Sequence, residues 1–249
     1  MLTVEYGGAF FHSDMRPASL GEFLIEKDGF EGWWGRPTTR SADVEHRSGH
    51  GGPLLPTLVG SRQVAVTGRF MRAGRSTRYL TDRLSGLPLA GRLTVQDDEG
   101  SQWATAQLID VSVERAVENA NAAFQLIWRC PDPHKYGESR EIVSSGANVQ
   151  AFHYGNADAW PIFTVTGFAG GYRIIGPGGT YQVGSKSAGA VDTIDFADGL
   201  LVRNGNHVTR QVSQRDVWPV KPFQQSQWRV QAVGSGSGTA TMTLLDTYL

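Results

Sequence analysis

Turn-forming residues recur along this chain too often for any long helix to run through it. Glycine alone supplies 31 of 249 residues. Gly170-Gly171, Pro177-Gly178-Gly179, Asp198-Gly199 and Asn204-Gly205 each break the apolar pattern with the residue types that tight turns require. Between such breaks, β-branched and aromatic residues alternate with polar ones, the period of a half-buried strand. The expected fold class is all-β with one short helix.

Strands are expected at Leu2 to Tyr6, Phe23 to Lys27 and Arg62 to Phe70, then at Leu93 to Gln96 and Trp103 to Ile109, running on to Glu114. Asp97-Asp98-Glu99-Gly100 reads as the hairpin between the last two. Phe124 to Cys130 alternates cleanly, with Phe124, Leu126 and Trp128 on one side. The helix is expected over 76–87. Ser76 or Thr77 caps it, Leu80, Leu84 and Leu87 share a face, and Gly86 and Pro88 stop it.

Two interruptions set the organisation. Between Asp28 and Pro56 the alternation lapses among glycines and prolines, so a long loop is expected there. It carries Trp33 and Trp34, whose rings need a surface to cover them. Cys130-Pro131-Asp132-Pro133 then stiffens the chain into a corner. Beyond it lie short segments at Glu141, Ile162, Tyr172, Thr180, Thr193, Leu200 and Trp228, the spacing of a β-sandwich. Gly234-Ser-Gly-Ser-Gly238 is a connector, and Ala240 to Asp246 is a last strand that cannot fold alone. We expect it to return to the first domain. The division is then 1–139, completed by 239–249, with 140–238 as an inserted sandwich.

Lys and Arg number 23 against 24 Asp and Glu, a formal charge of -1, which argues against a chain built mainly to bind nucleic acid. Cys130 is the only cysteine, so no intrachain disulfide forms. No apolar run approaches the ~20 residues of a membrane span. The stretch Met1 to Gly8 lacks the basic and apolar regions of a secretion signal, which points to folding in the cytoplasm.

Chemistry-bearing residues are sparse. His46 and His50 have a spacing that suits a metal on a helix, but glycines surround them. Cys130 and His134 are separated by two prolines, so a buried strand-end cysteine is expected in place of a nucleophile. Asp97, Asp98 and Glu99 diverge around a turn and do not face one substrate. Gly176-Pro-Gly-Gly179 lacks the Lys-Ser/Thr of a phosphate loop. Trp160 and Trp218 are candidate glycan contacts, set against plain packing. Arg62, Arg69, Arg72, Arg75, Arg78 and Arg83 form a basic segment around the helix, suited to intersubunit pairing or a channel lining.

In order and spacing, the chain resembles the distal tail proteins of long-tailed bacteriophages. The resemblance rests on Asp28-Gly29-Phe30 with its aromatic loop, Gly60-Ser61-Arg62, Gly68-Arg69-Phe70 before the helix, and Asp132-Pro133-x-x-Tyr136. It continues through Gly155-Asn156-Ala157-x-x-Trp160-Pro161, Ile194-Asp195, Asn204-Gly205 and Trp218-Pro219-Val220. It implies an N-terminal ring-forming β-domain closed by the C-terminal strand, and an inserted galectin-like β-sandwich. It further implies a non-enzymatic virion protein made in the host cytoplasm. Six copies would form a ring joining the tail tube to the tip or baseplate hub, with DNA only passing through the lumen. No cofactor, metal or membrane contact is expected. Interface residues are expected at Phe30, Trp33, Trp34, Arg62, Arg72, Arg75 and Arg78. The rival readings are a carbohydrate-binding adhesion module and a cell-wall hydrolase.

Overall fold

Wherever turn residues bracket an alternating stretch, a strand forms. The computed structural model describes residues 1–14, 23–40, 58–70, 77–114, 122–234 and 236–249. Two compact units emerge: Met1–Lys135 with Leu249, and Tyr136–Tyr248.

The first unit contains β1 (Thr3–Tyr6), β2 (Ala9–His12), β3 (Phe23–Glu31), β4 (Thr39–Arg40), β5 (Leu58–Val59), β6 (Arg62–Phe70), α1 (Thr77–Ser85), β7 (Ala90–Gln96), β8 (Ser101–Glu114) and β9 (Ala123–Cys130). Its main sheet runs β7-β1-β2-β3-β6-β9, and β8 pairs with both β9 and β7. The sheet therefore closes into a barrel. Only β2 and β3 run parallel, through Phe11↔Phe23 and His12↔Leu24. The expected hairpin forms between β7 and β8, where the Asp97 carboxylate accepts the Glu99 and Gly100 N–H groups.

Alternation decides what fills the barrel. Val4, Tyr6, Phe11, Phe23, Val64, Val66, Phe124, Leu126 and Trp128 all turn inward. Their rings meet at offset or edge-on angles, with Phe23 and Phe124 edge to face at 5.7 Å and Tyr6 on Trp128 at 5.4 Å. The Tyr6 hydroxyl donates to Pro88 O at 2.8 Å, so the buried ring keeps its polar tip satisfied. Helix α1 buries Leu80 and Leu84 and leaves Arg78 outside; Leu87, expected on the same face, is buried just past its end. Its expected cap at Ser76 lies outside the described residues.

The second unit comprises β10 (Lys135–Ser144, its first residue counting with the barrel), β11 (Val149–Phe152), β12 (Ile162–Gly167), β13 (Tyr172–Gly176), β14 (Gly179–Val183), β15 (Asp192–Asp195), β16 (Leu200–Arg203), β17 (Asn206–His207), β18 (Val212–Arg215), β19 (Gln225–Ala232) and β20 (Gly238–Tyr248). One layer is ordered β17-β16-β15-β12-β20 and the other β11-β19-β13-β14-β18. Phe163, Phe196, Trp218 and Trp228 interlock between them as the centre of a second core. The expected sandwich is present, with β11, β17 and β18 as strands the sequence pattern did not reveal.

The last strand departs from expectation. It pairs with β12, from Ile162↔Thr243 to Gly167↔Gly238, and sends Ala240, Met242 and Leu244 into the sandwich core. The barrel closes through β8 instead. In the sheet order β20 lies between β12 and β10. The two compact units adjoin in sequence at Lys135 and Tyr136.

The helix makes a direct check on this packing. Leu84→Ala should cost about 3 kcal/mol because the site is fully enclosed, whereas Arg78→Ala should stay within about 0.5 kcal/mol. Equilibrium denaturation followed by circular dichroism would measure both.

Candidate assembly surface

The most distinctive surface of the barrel is built where β3 loses its register. Pairing of β3 with β6 jumps from Ile25↔Gly68 to Phe30↔Val66. Asp28 takes a left-handed backbone at φ 63°, and a Cβ on Gly29 would sit 2.3 Å from Thr67 O. Asp28-Gly29 is therefore a bulge that the next strand permits only without a side chain. Beyond Glu31 the chain turns at Gly32 (φ 78°), where a Cβ would lie 1.9 Å from Gln63 O. This turn separates the two tryptophans. Trp33 drops wholly into the barrel core, while Trp34 stays 53% exposed.

Arg62 holds the turn in place. It is only 2% exposed, and its Nη1 donates to the carbonyls of Gly32 (3.0 Å), Trp33 (2.9 Å) and Gly35 (3.1 Å). Its Nε donates to Pro133 O at 3.3 Å. One guanidinium thus ties the Trp loop to the proline corner, which is a strong arrangement because charge-assisted bonds to carbonyls replace lost water. Burial pulls the Arg62 pKa below its usual value, but a guanidinium stays charged.

Lys135 sits beside this anchor, nearly buried, with Nζ 5.5 Å from the centroids of both tryptophan rings. The ring faces offset part of the cost of burying its charge. Desolvation, reinforced by the Arg62 charge, pushes the ammonium down to about 8.

Outside the anchor lies a groove of about 490 Å³. Trp34 and Ile109 flank it, Arg36 and Arg129 supply charge, Ser61 and Gln63 add polar atoms, and among the described residues no carboxylate lines it. Ile109 is 54% exposed because β8 has a register break between Leu108 and Asp110 where it passes from β7 to β9. An uncovered Trp and Ile around paired arginines make a surface suited to an acidic or mixed protein segment.

The candidate residues divide sharply. Phe30 is half-buried against the barrel core and stacks obliquely with Trp33. Trp33 and Arg62 are internal, so the expectation that they contact a neighbouring chain fails: the barrel covers them itself. Trp34 remains available. Arg78 is exposed and reaches Asp82 at 3.9 Å, a solvated pair of small value. Arg69 is engaged by Glu26. Arg72, Arg75, His46 and His50 lie outside the described residues. Arg36, Arg129 and Ile109 had not been anticipated.

Other candidates resolve as structural parts. Cys130 is buried at the end of β9, its thiol pushed up to about 11 by desolvation, and the His134 ring is bonded to Asp132 at 2.7 Å. Trp218 is 4% exposed and packs edge-on against Phe196, so it offers no face to a sugar; Trp160 is 42% exposed. Within the sandwich, buried Asp192 takes Arg203 through two bonds (2.7 and 3.0 Å) and the Tyr172 hydroxyl at 2.9 Å. Desolvation, then the Asp192 charge, holds that phenol far above its usual pKa. Among the described residues, no three His, Cys, Asp or Glu side chains cluster as a metal site. No helix there is long and apolar enough to cross a membrane.

No family model matches the sequence, and no curated protein aligns with it significantly. The fold, however, is that of the Dit protein of phage SPP1, described as a paradigm of the hub adsorption apparatus in phages that infect Gram-positive bacteria. The TM-score is 0.76 at 16% identity, over 100% of both chains. A chain of the phage P2 baseplate in its activated conformation overlaps more loosely, at TM-score 0.44 and 8% identity over 96% of this chain and 97% of that one. The sequence resemblance to distal tail proteins thus holds at the level of fold.

Two substitutions test the anchor. Arg62→Met should cost about 3 kcal/mol or more, since it strands several buried carbonyls, and should expose Trp33 to fluorescence quenchers. Lys135→Met tests the buried charge. The folded-state pKa lies below the unfolded value, so the cost of Lys135 is full below about pH 8 and fades as pH rises toward 10.5. The methionine variant should be more stable at pH 7, by up to roughly 3 kcal/mol, with the gap closing over that window. Paired denaturation curves at several pH values would read it.

Proposed function

We propose that this chain is a distal tail protein of a long-tailed bacteriophage. It is a structural virion subunit whose copies close into a hexameric ring between the tail tube and the tip or baseplate hub. The observation that carries this reading is the fold shared along the full length of both chains with the SPP1 hub protein. A likeness confined to one β-domain would carry far less, because such domains serve many functions.

In this role the protein works by shape and burial, without covalent chemistry. A closed barrel presents no open edge that would recruit stray strands, so assembly must proceed through side chains. The Trp34–Ile109 groove supplies them. A neighbouring chain gains most by covering the two apolar side chains and placing carboxylates against Arg36 and Arg129. The rigid Arg62 anchor keeps the groove formed before assembly, so less ordering entropy is lost on contact. Arg78, exposed and only weakly held by Asp82, can pair with a neighbour or face a lumen through which DNA passes. The ring's own partners are further copies of itself, the tube protein and the hub protein.

Light scattering on the purified chain across concentration and salt is the test. A closed oligomer near the mass of a hexamer is expected, reduced to smaller species by Trp34→Ala or by Arg36→Glu with Arg129→Glu, while circular dichroism stays unchanged. A chain that remains monomeric at every concentration, alone and with tube protein added, would sink the ring.

A further inference from the structure

The outer face of the sandwich layer β11-β19-β13-β14-β18 is covered by amides and guanidiniums. Ala151, Trp228, Val230, Ile174 and Tyr181 point inward and are buried, so the alternate positions on the same strands lie outside. Register lines them up. Gln231 on β19 stands opposite Arg173 on β13, Arg173 opposite Gln182 on β14, and Gln182 opposite Gln214 on β18. This row crosses four strands with neighbours roughly 4.8 Å apart. Gln227 lies opposite Gln150 beside it, and Gln225 bonds the Gln150 amide.

No outward position on these five strands carries a carboxylate. Asp216, just past β18, already accepts from Thr180 N–H at 3.0 Å and from the Gln214 amide at 2.7 Å. At the Gly176-Pro177 end the face dips into a groove of about 520 Å³, lined by Asn148, Ile175, Gln225, Gln227 and Arg229 among others. The charge at the outward positions is therefore positive, from Arg173 and Arg229. Arg173 spends only its Nε, on Gln231 at 3.0 Å.

We infer that this face binds an anionic saccharide chain. A glutamine amide carries two N–H donors and an acceptor; Gln150, Gln214, Gln225 and Gln231 each spend one such atom on a neighbour, and the donor and acceptor sites left over match the hydroxyls of a polyol. Guanidiniums take carboxylate, sulfate or phosphate oxygens in a bidentate fork, which gives the anionic preference. A protein partner fits poorly, since interface cores are apolar and aromatic, whereas this face offers little beyond Ile175 and the Phe152 edge. Neither Trp160 nor Trp218 lines this groove.

The test uses the intact chain with polygalacturonate, hyaluronate and heparin as probes, dextran as the neutral saccharide and polyglutamate as a polyanion without hydroxyls. Titration should show binding to at least one acidic saccharide, weakened by salt and stronger than to dextran or polyglutamate. Arg173→Ala and Arg229→Ala should each weaken it roughly tenfold, and Gln227→Ala should weaken it measurably. All three side chains are on the surface, so the fold should persist by circular dichroism. No binding to any acidic saccharide, equal binding of dextran or polyglutamate, or binding indifferent to all three substitutions would overturn the assignment.

Discussion

Closure of the barrel depends on one strand that serves two neighbours. β8 is 14 residues long; its first half pairs with β7 through Gln107, and its second half pairs with β9 from Gln107 to Glu114. Without that change of partner, β7 and β9 would remain open edges, and open edges invite aggregation. The change is made at the irregularity beside Ile109, which throws that side chain outward. The same local distortion that seals the backbone therefore creates one wall of the groove.

A second dependence runs through Arg62. Its position on β6 faces the interior, in phase with Val64 and Val66, where an unpartnered charge would be intolerable. Backbone carbonyls of the Trp loop and of the proline corner take its Nη1 and Nε hydrogens, and in doing so they are pinned together, while its Nη2 stays buried without a hydrogen bond among the described residues. The sandwich repeats the device at Asp192, which shares its inward phase with Ile194 and is neutralised by Arg203. Buried charges of this kind add little net stability, yet they tolerate very few alternative arrangements. A surface that must meet a partner in one geometry benefits from that rigidity.

These features make a consistent picture of a building block. The barrel hides its backbone and offers a shaped side-chain groove, while the sandwich places a polar sheet face outward. If the first surface closes a ring and the second meets a saccharide, the two roles fall on two distinct hydrophobic cores.

Much of this was legible from residue order. Alternation over Arg62 to Phe70 and Phe124 to Cys130 set those strands, Leu80 and Leu84 at helical spacing set the buried face of α1, and paired glycines set the turns of the sandwich. The phase of Arg62 with Val64 also marked a buried guanidinium, a sign that reading the arginines as one basic cluster obscured. What local pattern did not carry was the partner of each strand, because pairing is decided by distant segments competing for the same edge. So the destination of β20, the double pairing of β8 and the division of Trp33 from Trp34 emerged only in three dimensions. Likewise, glutamines scattered over residues 150–231 are unremarkable in sequence, and only strand register brings them into one face. Periodicity depends on a residue's nearest neighbours and is written in the chain; adjacency between strands is a property of the closed sheet.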